Sequence, residues 1–262
     1  MPKARDLLFE FEDLSWFPNT IRESMTDYLR YVITLLNFYE PITPVLAGGL
    51  NKTGTTQIID LCSGGGGAIE QIKNNIEKQS GHSIQITLTD KFPNTNAFQL
   101  LSEKTRGSIS YVSTPVDAAK VPENLKGFRT IFSGFHHFNL KFAHAVLKDS
   151  VDAKSGIAIF DGGDKNIFIT IIITLLQPVA FFFLTPFFRP FKWSRFLFTY
   201  LIPVIPFCTM WDGVVSMIRL YKPAELLAMA KQVDDKNYCW KAGKLKNKWG
   251  MSVAYLIGHP LK

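Results

Sequence analysis

The stretch IIDLCSGGGGAIE, residues 58–70, puts a run of glycines directly after a short apolar run and before a helical pattern carrying Ile69, Ile72 and Ile76. A buried strand that ends in glycines before a helix lets ligand atoms approach the backbone closely, in the crevice outside the strand's carboxyl end. The spacing argues against a nicotinamide dinucleotide. That fingerprint, G-x-G-x-x-G, needs a small third position for tight helix packing, and counting from Gly64 and Gly66 places Ile69 there. Two adjacent histidines, His136 and His137, lie in FSGFHHF after a later strand-like run. Histidine is the side chain best matched to moving a proton near neutral pH.

The elements that would position these residues alternate short apolar runs with longer helical ones. Strands are expected at 58–61, 84–89, 109–112, 130–132 and 157–160, with helical stretches between them, the one at 142–147 among these. Such alternation implies parallel pairing in a sheet covered on both faces. Two further strand-like runs, 238–241 and 252–257, joined by the lysine-rich turn AGKLKNKWG, predict an antiparallel hairpin at the sheet edge. Before the sheet, Thr20 and Glu23 have capping-box spacing, and Ile21, Met25, Tyr28, Leu29, Val32, Leu35 and Leu36 follow at helical intervals. Pro41, Pro44, Gly48, Gly49 and Gly54 read as a break between that helix and the first strand. Pro223 opens a short helix to about residue 232.

The glycine stretch resembles motif I of the class I S-adenosylmethionine-dependent methyltransferases, an acidic residue at a strand end followed by G-x-G-x-G. Asp60 matches the acid, Gly64 and Gly66 match the second and third glycines, and Cys62 holds the first glycine's place, stiffening the loop. The resemblance implies further positions in chain order. Asp90, in LTDKFPN, stands where the family holds the ribose hydroxyls, which suits a carboxylate able to accept two hydrogen bonds. Asp117 and Ala118, in PVDAAKVP, stand where the adenine amino group and ring are held, and FSGFHHF stands where the methyl group points. Ser63, Lys91 and Ser133 complete the implied contacts to the cofactor, S-adenosyl-L-methionine. His136 and His137 are then the candidates to deprotonate the methyl acceptor, although holding donor and acceptor in line can suffice without a base. Implied is an α/β, Rossmann-like class I methyltransferase fold: a seven-stranded, mostly parallel sheet with a C-terminal antiparallel hairpin, plus an N-terminal helix and an apolar helical insert. One domain is expected, with an N-terminal helical cap (1–56), a cofactor-binding core (57–164), the insert (165–221) and a C-terminal helix and hairpin (222–262).

The insert is the unusual part. Residues 167–188, IFITIIITLLQPVAFFFLTPFF, form an uncharged run of 22, and ten of the chain's 22 phenylalanines fall between Phe168 and Phe207. Both ends of the insert return to one sheet, so a single bilayer crossing is excluded. A two-span hairpin would carry Arg189, Lys192 and Arg195 of RPFKWSR to the far side, and Pro178, Pro186, Pro190, Pro203 and Pro206 interrupt long helices. The expectation is a hairpin over 167–211 that either dips into one leaflet, its basic residues and Trp193 at headgroup level, or packs on the domain as an extra layer. Either form favours a hydrophobic small-molecule acceptor such as a quinone, isoprenoid, fatty acyl or polyketide-like compound.

The net charge of +7 and Lys241, Lys244, Lys246 and Lys248 raise an RNA acceptor as the alternative, but the fourth strand lacks an N-P-P-Y type motif, so nucleic acid is not the expected partner. A non-catalytic, membrane-associated protein that binds the cofactor is a third reading. The three cysteines, Cys62, Cys208 and Cys239, have no metal-ligand or disulfide spacing, so no metal and a reducing compartment are expected. Glu10, Glu12 and Asp13 interrupt the apolar run that a signal peptide would need, giving a cytoplasmic expectation, peripheral or monotopic on the membrane. Asp161, Asp164 and Asp212 bracket the insert as loop caps or acceptor contacts, and Trp16, Phe17, Arg22 and Tyr28 are expected mainly to pack.

Overall fold

In the computed structural model, which describes residues 8–163, 167–234 and 236–261, seven strands form one sheet in the order β3-β2-β1-β4-β5-β7-β6. The strands β1 (Gln57–Leu61), β2 (Gln85–Leu88), β3 (Ile109–Tyr111), β4 (Phe128–Phe132) and β5 (Ile157–Gly162) run parallel. The hairpin strand β7 (Ser252–Pro260) is antiparallel to both β5 and β6 (Tyr238–Lys246). Strand order reverses between β1 and β4, and in open α/β sheets ligands bind outside the strand ends at such a point. Asp60 sits on β1 at this point, in register with Thr130 of β4.

Both faces are covered, which is why the central strands read as continuous apolar runs. On one face α2 (Thr43–Thr53), α3 (Ile69–Ser80) and α4 (Thr95–Lys104) bury Leu46, Leu50, Ile72, Ile76 and Phe98 against the sheet. On the other, α5 (Leu140–Asp152) and α9 (Pro223–Val233) contribute Ala143, Val146, Leu147, Leu226 and Met229. The proline-glycine stretch expected as a break is in fact α2, because Pro44 falls in its first turn, where proline is tolerated, and Gly49 lets it lie close on the sheet. A Cβ at Gly49 would stand 2.6 Å from Ile257 Cδ1. The expected capping box is also absent: α1 (Asn19–Leu35) is entered from Pro18, and no side chain caps it. Likewise AGKLKNKWG is strand rather than turn as far as Lys246.

The insert folds as α6 (Ile167–Leu184), a short α7 (Trp193–Phe196), a π turn (Leu197–Leu201) and α8 (Val204–Arg219). One side of it packs on α1 through Phe17, Ile21, Met25 and Tyr28 against Phe181, Phe188, Ile205 and Cys208. Tyr28 stacks on Phe181 at 4.1 Å between ring centroids, an arrangement worth about 0.5–1.5 kcal/mol beyond area burial. The other side leaves Leu175, Phe183, Trp193 and Leu201 68–78% exposed. Among the described residues no single helix is long and apolar enough to cross a membrane, and the pair Trp193–Leu201 and Val204–Arg219 is bent by 80°.

The basic turn does not lie where the sequence placed it. Arg195 is buried and paired with the equally buried Asp27 of α1, and Lys192 contacts Glu23 at 2.7 Å and Asp27 at 3.1 Å. Opposite charges on α1 thus draw Lys192 and Arg195 inward, while Arg189 and Trp193 of the expected headgroup residues stay exposed. Removing one partner of a buried ion pair leaves the other uncompensated. Asp27→Leu is therefore expected to cost about 3–5 kcal/mol in chemical denaturation, with Asp27→Leu/Arg195→Met recovering part of the loss.

Candidate active site

A cleft of 670 Å³ opens at the carboxyl ends of β1, β2 and β4, and its volume suits a cofactor with a small acceptor beside it. Cys62, Ser63, Gly64, Asp90, Lys91, Asp117, Ala118, Ser133 and His137 line it, whereas Asp60, Gly66 and His136 do not. The glycine turn that forms its floor is shaped by short contacts. Asp90 accepts from the backbone N–H of Gly64 at 2.8 Å and of Phe92 at 2.7 Å, so the β2 end and the turn are tied through one carboxylate. Gly65 is required by close approach: a Cβ there would stand 2.6 Å from the Thr26 carbonyl oxygen of α1. Cys62, where the resemblance expects glycine, has a φ of +56° and so adopts the left-handed backbone that glycine takes most readily.

Asp60 organises the turn from beneath. Its carboxylate accepts from Thr130 Oγ1 and from Ser63 Oγ, each at 2.6 Å, and burial pushes its pKa up to about 7 against those two hydrogen bonds. Gly66 serves packing, since a side chain there would collide with Leu101 Cδ1 at 2.2 Å. On the β4 side, the Ser133 hydroxyl is hydrogen-bonded to Tyr39 OH. Around the rim Arg22 lies over the Phe92 ring at 4.0 Å. Leu29, Ile33, Phe132, Phe138, Leu140 and Phe142 give the cleft an apolar wall. A carboxylate at the β2 end, a second acid with a backbone amide at Asp117 and Ala118, and an open glycine turn fit a nucleoside with a diol.

The two histidines are covered by a segment the sequence offers no periodicity to detect. Residues 8–17 form a strap across the front of the cleft, with a single turn at Phe11–Asp13. Asp212 of α8 accepts the backbone N–H groups of Phe11 at 2.7 Å and Glu12 at 3.1 Å. Arg219, also on α8, donates to Glu10 and Asp13, each at 2.9 Å, and to the His137 carbonyl. His137 Nδ1 lies 2.9 Å from Asp13 Oδ1. Burial works to lower the His137 pKa, but the charges of Glu10, Asp13 and Glu12 and the Asp13 hydrogen bond prevail and push it up to about 10. The same contacts, with Arg219, outweigh burial at Asp13 and hold it down at about 2. In this arrangement His137 is an imidazolium at neutral pH, a donor rather than a base. His136 is buried beside it, with Nδ1 3.2 Å from Asp161 Oδ1.

Sequence reasoning placed no function on Glu10, Asp13 or Arg219, although the acidic trio of the strap was visible beside an otherwise apolar run. Of the aspartates bracketing the insert, Asp212 anchors the strap, Asp161 holds His136, and Asp164 lies outside the described residues. Arg22 is more than packing, since it lines the cleft, whereas Phe17 and Tyr28 pack against the insert and Trp16 is exposed.

No family model and no curated protein matches the chain. Solved structures do. The chain is similar to an O-methyltransferase, NcsB1, from neocarzinostatin biosynthesis, solved with S-adenosyl-L-homocysteine and 1,4-dihydroxy-2-naphthoic acid, at 13% identity and a TM-score of 0.51 over 90% of this chain. It is similar in the same degree to PigF solved with SAH, at 12% identity and a TM-score of 0.51 over 93% of this chain. It spans 57% and 62% of the length of those two proteins. With the strand order and the reversed β7, this likeness defines the fold as the Rossmann-like fold of class I methyltransferases.

The strap's hold on the site depends on Arg219. Arg219→Met is expected to lower amide hydrogen-exchange protection across residues 9–17 at least tenfold, while protection of the central strands stays within twofold, as read by exchange mass spectrometry.

Proposed function

We propose that the protein is an S-adenosylmethionine-dependent methyltransferase acting on a lipophilic small molecule at a membrane surface. The observation that carries this reading is one cleft with two unlike walls. The first is the glycine turn with Asp90, Asp117 and Ala118, and the second is the apolar wall from Leu29 to Phe142. The cofactor, when bound, supplies an electrophilic methyl group. The chain's part is to hold it: Asp90 faces the ribose hydroxyls, Asp117 and Ala118 the adenine, and Ser63, Gly64, Lys91 and Ser133 the rest. With His137 held as a cation, methyl transfer rests first on alignment, which can contribute several orders of magnitude without a dedicated base. His137 then positions the acceptor oxygen by donating to it.

The apolar insert supports the choice of acceptor. Its exposed side carries Phe182, Phe183, Phe187, Phe191, Trp193 and Leu201, and clustered large apolar side chains left in the open mark an interaction surface. A lipid surface would cover that side and deliver an acceptor that water does not carry; the proposed location is the cytoplasmic face of a membrane, held peripherally. An RNA acceptor draws no support from the cleft, since none of Lys241, Lys244, Lys246 and Lys248 lines it.

Calorimetry should detect S-adenosylmethionine binding, weakened at least tenfold by Asp90→Ala, which removes a charged acceptor worth about 1.5–3 kcal/mol. No binding would remove the enzyme reading. Incubation with labelled donor and a total lipid extract should place label in the organic phase; His136→Ala/His137→Ala should reduce that turnover more than donor affinity. Binding without turnover on any extract would favour a non-catalytic sensor, and label in RNA would reverse the acceptor class. In vesicle flotation the protein should rise with the lipid, and Phe183→Ser/Trp193→Ser/Leu201→Ser should leave it at the bottom.

A further inference from the structure

We propose that Glu10, His136 and His137 form a binding site for one divalent transition-metal ion at the edge of the cleft. Donor atoms of the three residues lie within 4.8 Å of one another. Glu10 Oε2 stands 3.9 Å from His136 Nε2 and 3.6 Å from His137 Nδ1. Ligand atoms around a tetrahedral ion at the usual bond lengths stand about 3.3–3.6 Å apart, so Glu10 is within a few tenths of an ångström of that spacing from each histidine, and the two histidines, within 4.8 Å of each other, close the set by drawing together. Two imidazoles and one carboxylate form a donor set suited to zinc and its first-row neighbours.

The second observation is His136 itself. Only 5% of the residue is exposed, and its Nε2 is buried with no hydrogen-bond partner, a costly state for a polar atom. The cause is on its other side. Nδ1 meets the buried Asp161 carboxylate at 3.2 Å, and a proton held there leaves Nε2 with its lone pair toward Glu10. A carboxylate behind an imidazole whose far nitrogen faces other donors is the usual support of a metal-bound histidine. Glu10 is equally prepared. Arg219 binds Oε1, while Oε2 takes only the Ser216 hydroxyl at 2.7 Å among the described contacts and keeps capacity for an ion. In the ion-free protein His137 Nδ1 faces Asp13 at 2.9 Å with a proton between them, so an ion bound at that nitrogen releases the proton, and Asp13 turns outward as a further ligand or keeps only its contact with Arg219.

His137 and Asp13 line the cleft, so a bound ion would stand where an acceptor oxygen could reach it. That use rests on the proposed methyl transfer; metal binding does not. The ion would also join the strap to the loop after β4, two segments far apart in the chain.

The test uses the full chain, stripped with a chelator and dialysed, then titrated with zinc against a competing indicator and analysed for bound metal. One zinc per chain is expected, with cobalt(II) substitution giving a visible spectrum of nitrogen and oxygen coordination, a readout that needs no variant. Glu10→Gln and His136→Gln should each weaken zinc at least 100-fold, and the positioning variant Asp161→Asn about 10–100-fold, with circular dichroism confirming that each is folded. Wild-type affinity weaker than about 1 mM, or affinity unchanged in both ligand variants, overturns the site. Donor calorimetry on the stripped protein reports separately on the proposed function.

Discussion

Asp27 is the point through which the cap, the insert and the core are held in one arrangement. It is fully buried on α1, and it faces Arg195 and Lys192 from the insert and Asn94, the residue that caps α4 by accepting the Ala97 N–H. A carboxylate taken out of water is costly alone, so it stays ionised only where cations and donors converge. Because those groups come from two separate parts of the chain, the insert and the core, the buried charge selects one docking of α1. That docking seats Thr26 against Gly65 and Arg22 above Phe92, which shapes the cleft's rim. The rim of the cleft is thus set by an ion pair that does not line it.

A similar logic governs the strap. Its backbone is fixed by Asp212 and its acids by Arg219, both on α8, so the front of the cleft is built by the insert. The insert therefore has two distinct sides: a charged and hydrogen-bonded one that completes the site, and an apolar one left outward. The expectation of an added layer on the domain describes the first of these sides.

The core was readable because its strands are buried on both faces and its helices bury one stripe, so pattern and structure coincide at Ile58, Ile86, Ile131 and Ile159. That Asp90, Asp117, Ala118 and Ser133 would line one cleft was readable because they follow strand ends in a fixed order. What was not readable depended on distant partners. Nothing near Arg195 in the chain announces Asp27, and a run with Arg189, Lys192 and Arg195 looks solvent-facing until α1 lies beside it. Helix α2 was hidden by glycines whose role is close packing rather than a break. The strap has no period at all; its meaning comes from α8, some 200 residues away. His136 and His137 were visible as a pair, but their ionic surroundings were not, and those decide what either can do.

The sheet's two borders differ in a way that bears on solubility. β3 is three residues long, too short to recruit another strand. β6 is nine residues long, with backbone groups on its outer side, and along it Lys241, Lys244 and Lys246 stand exposed. Lysines on an outermost strand repel a second copy that would extend the sheet, which matters most for a chain already carrying an outward apolar surface. The basic series that suggested a polyanion track thus guards against self-association edge to edge.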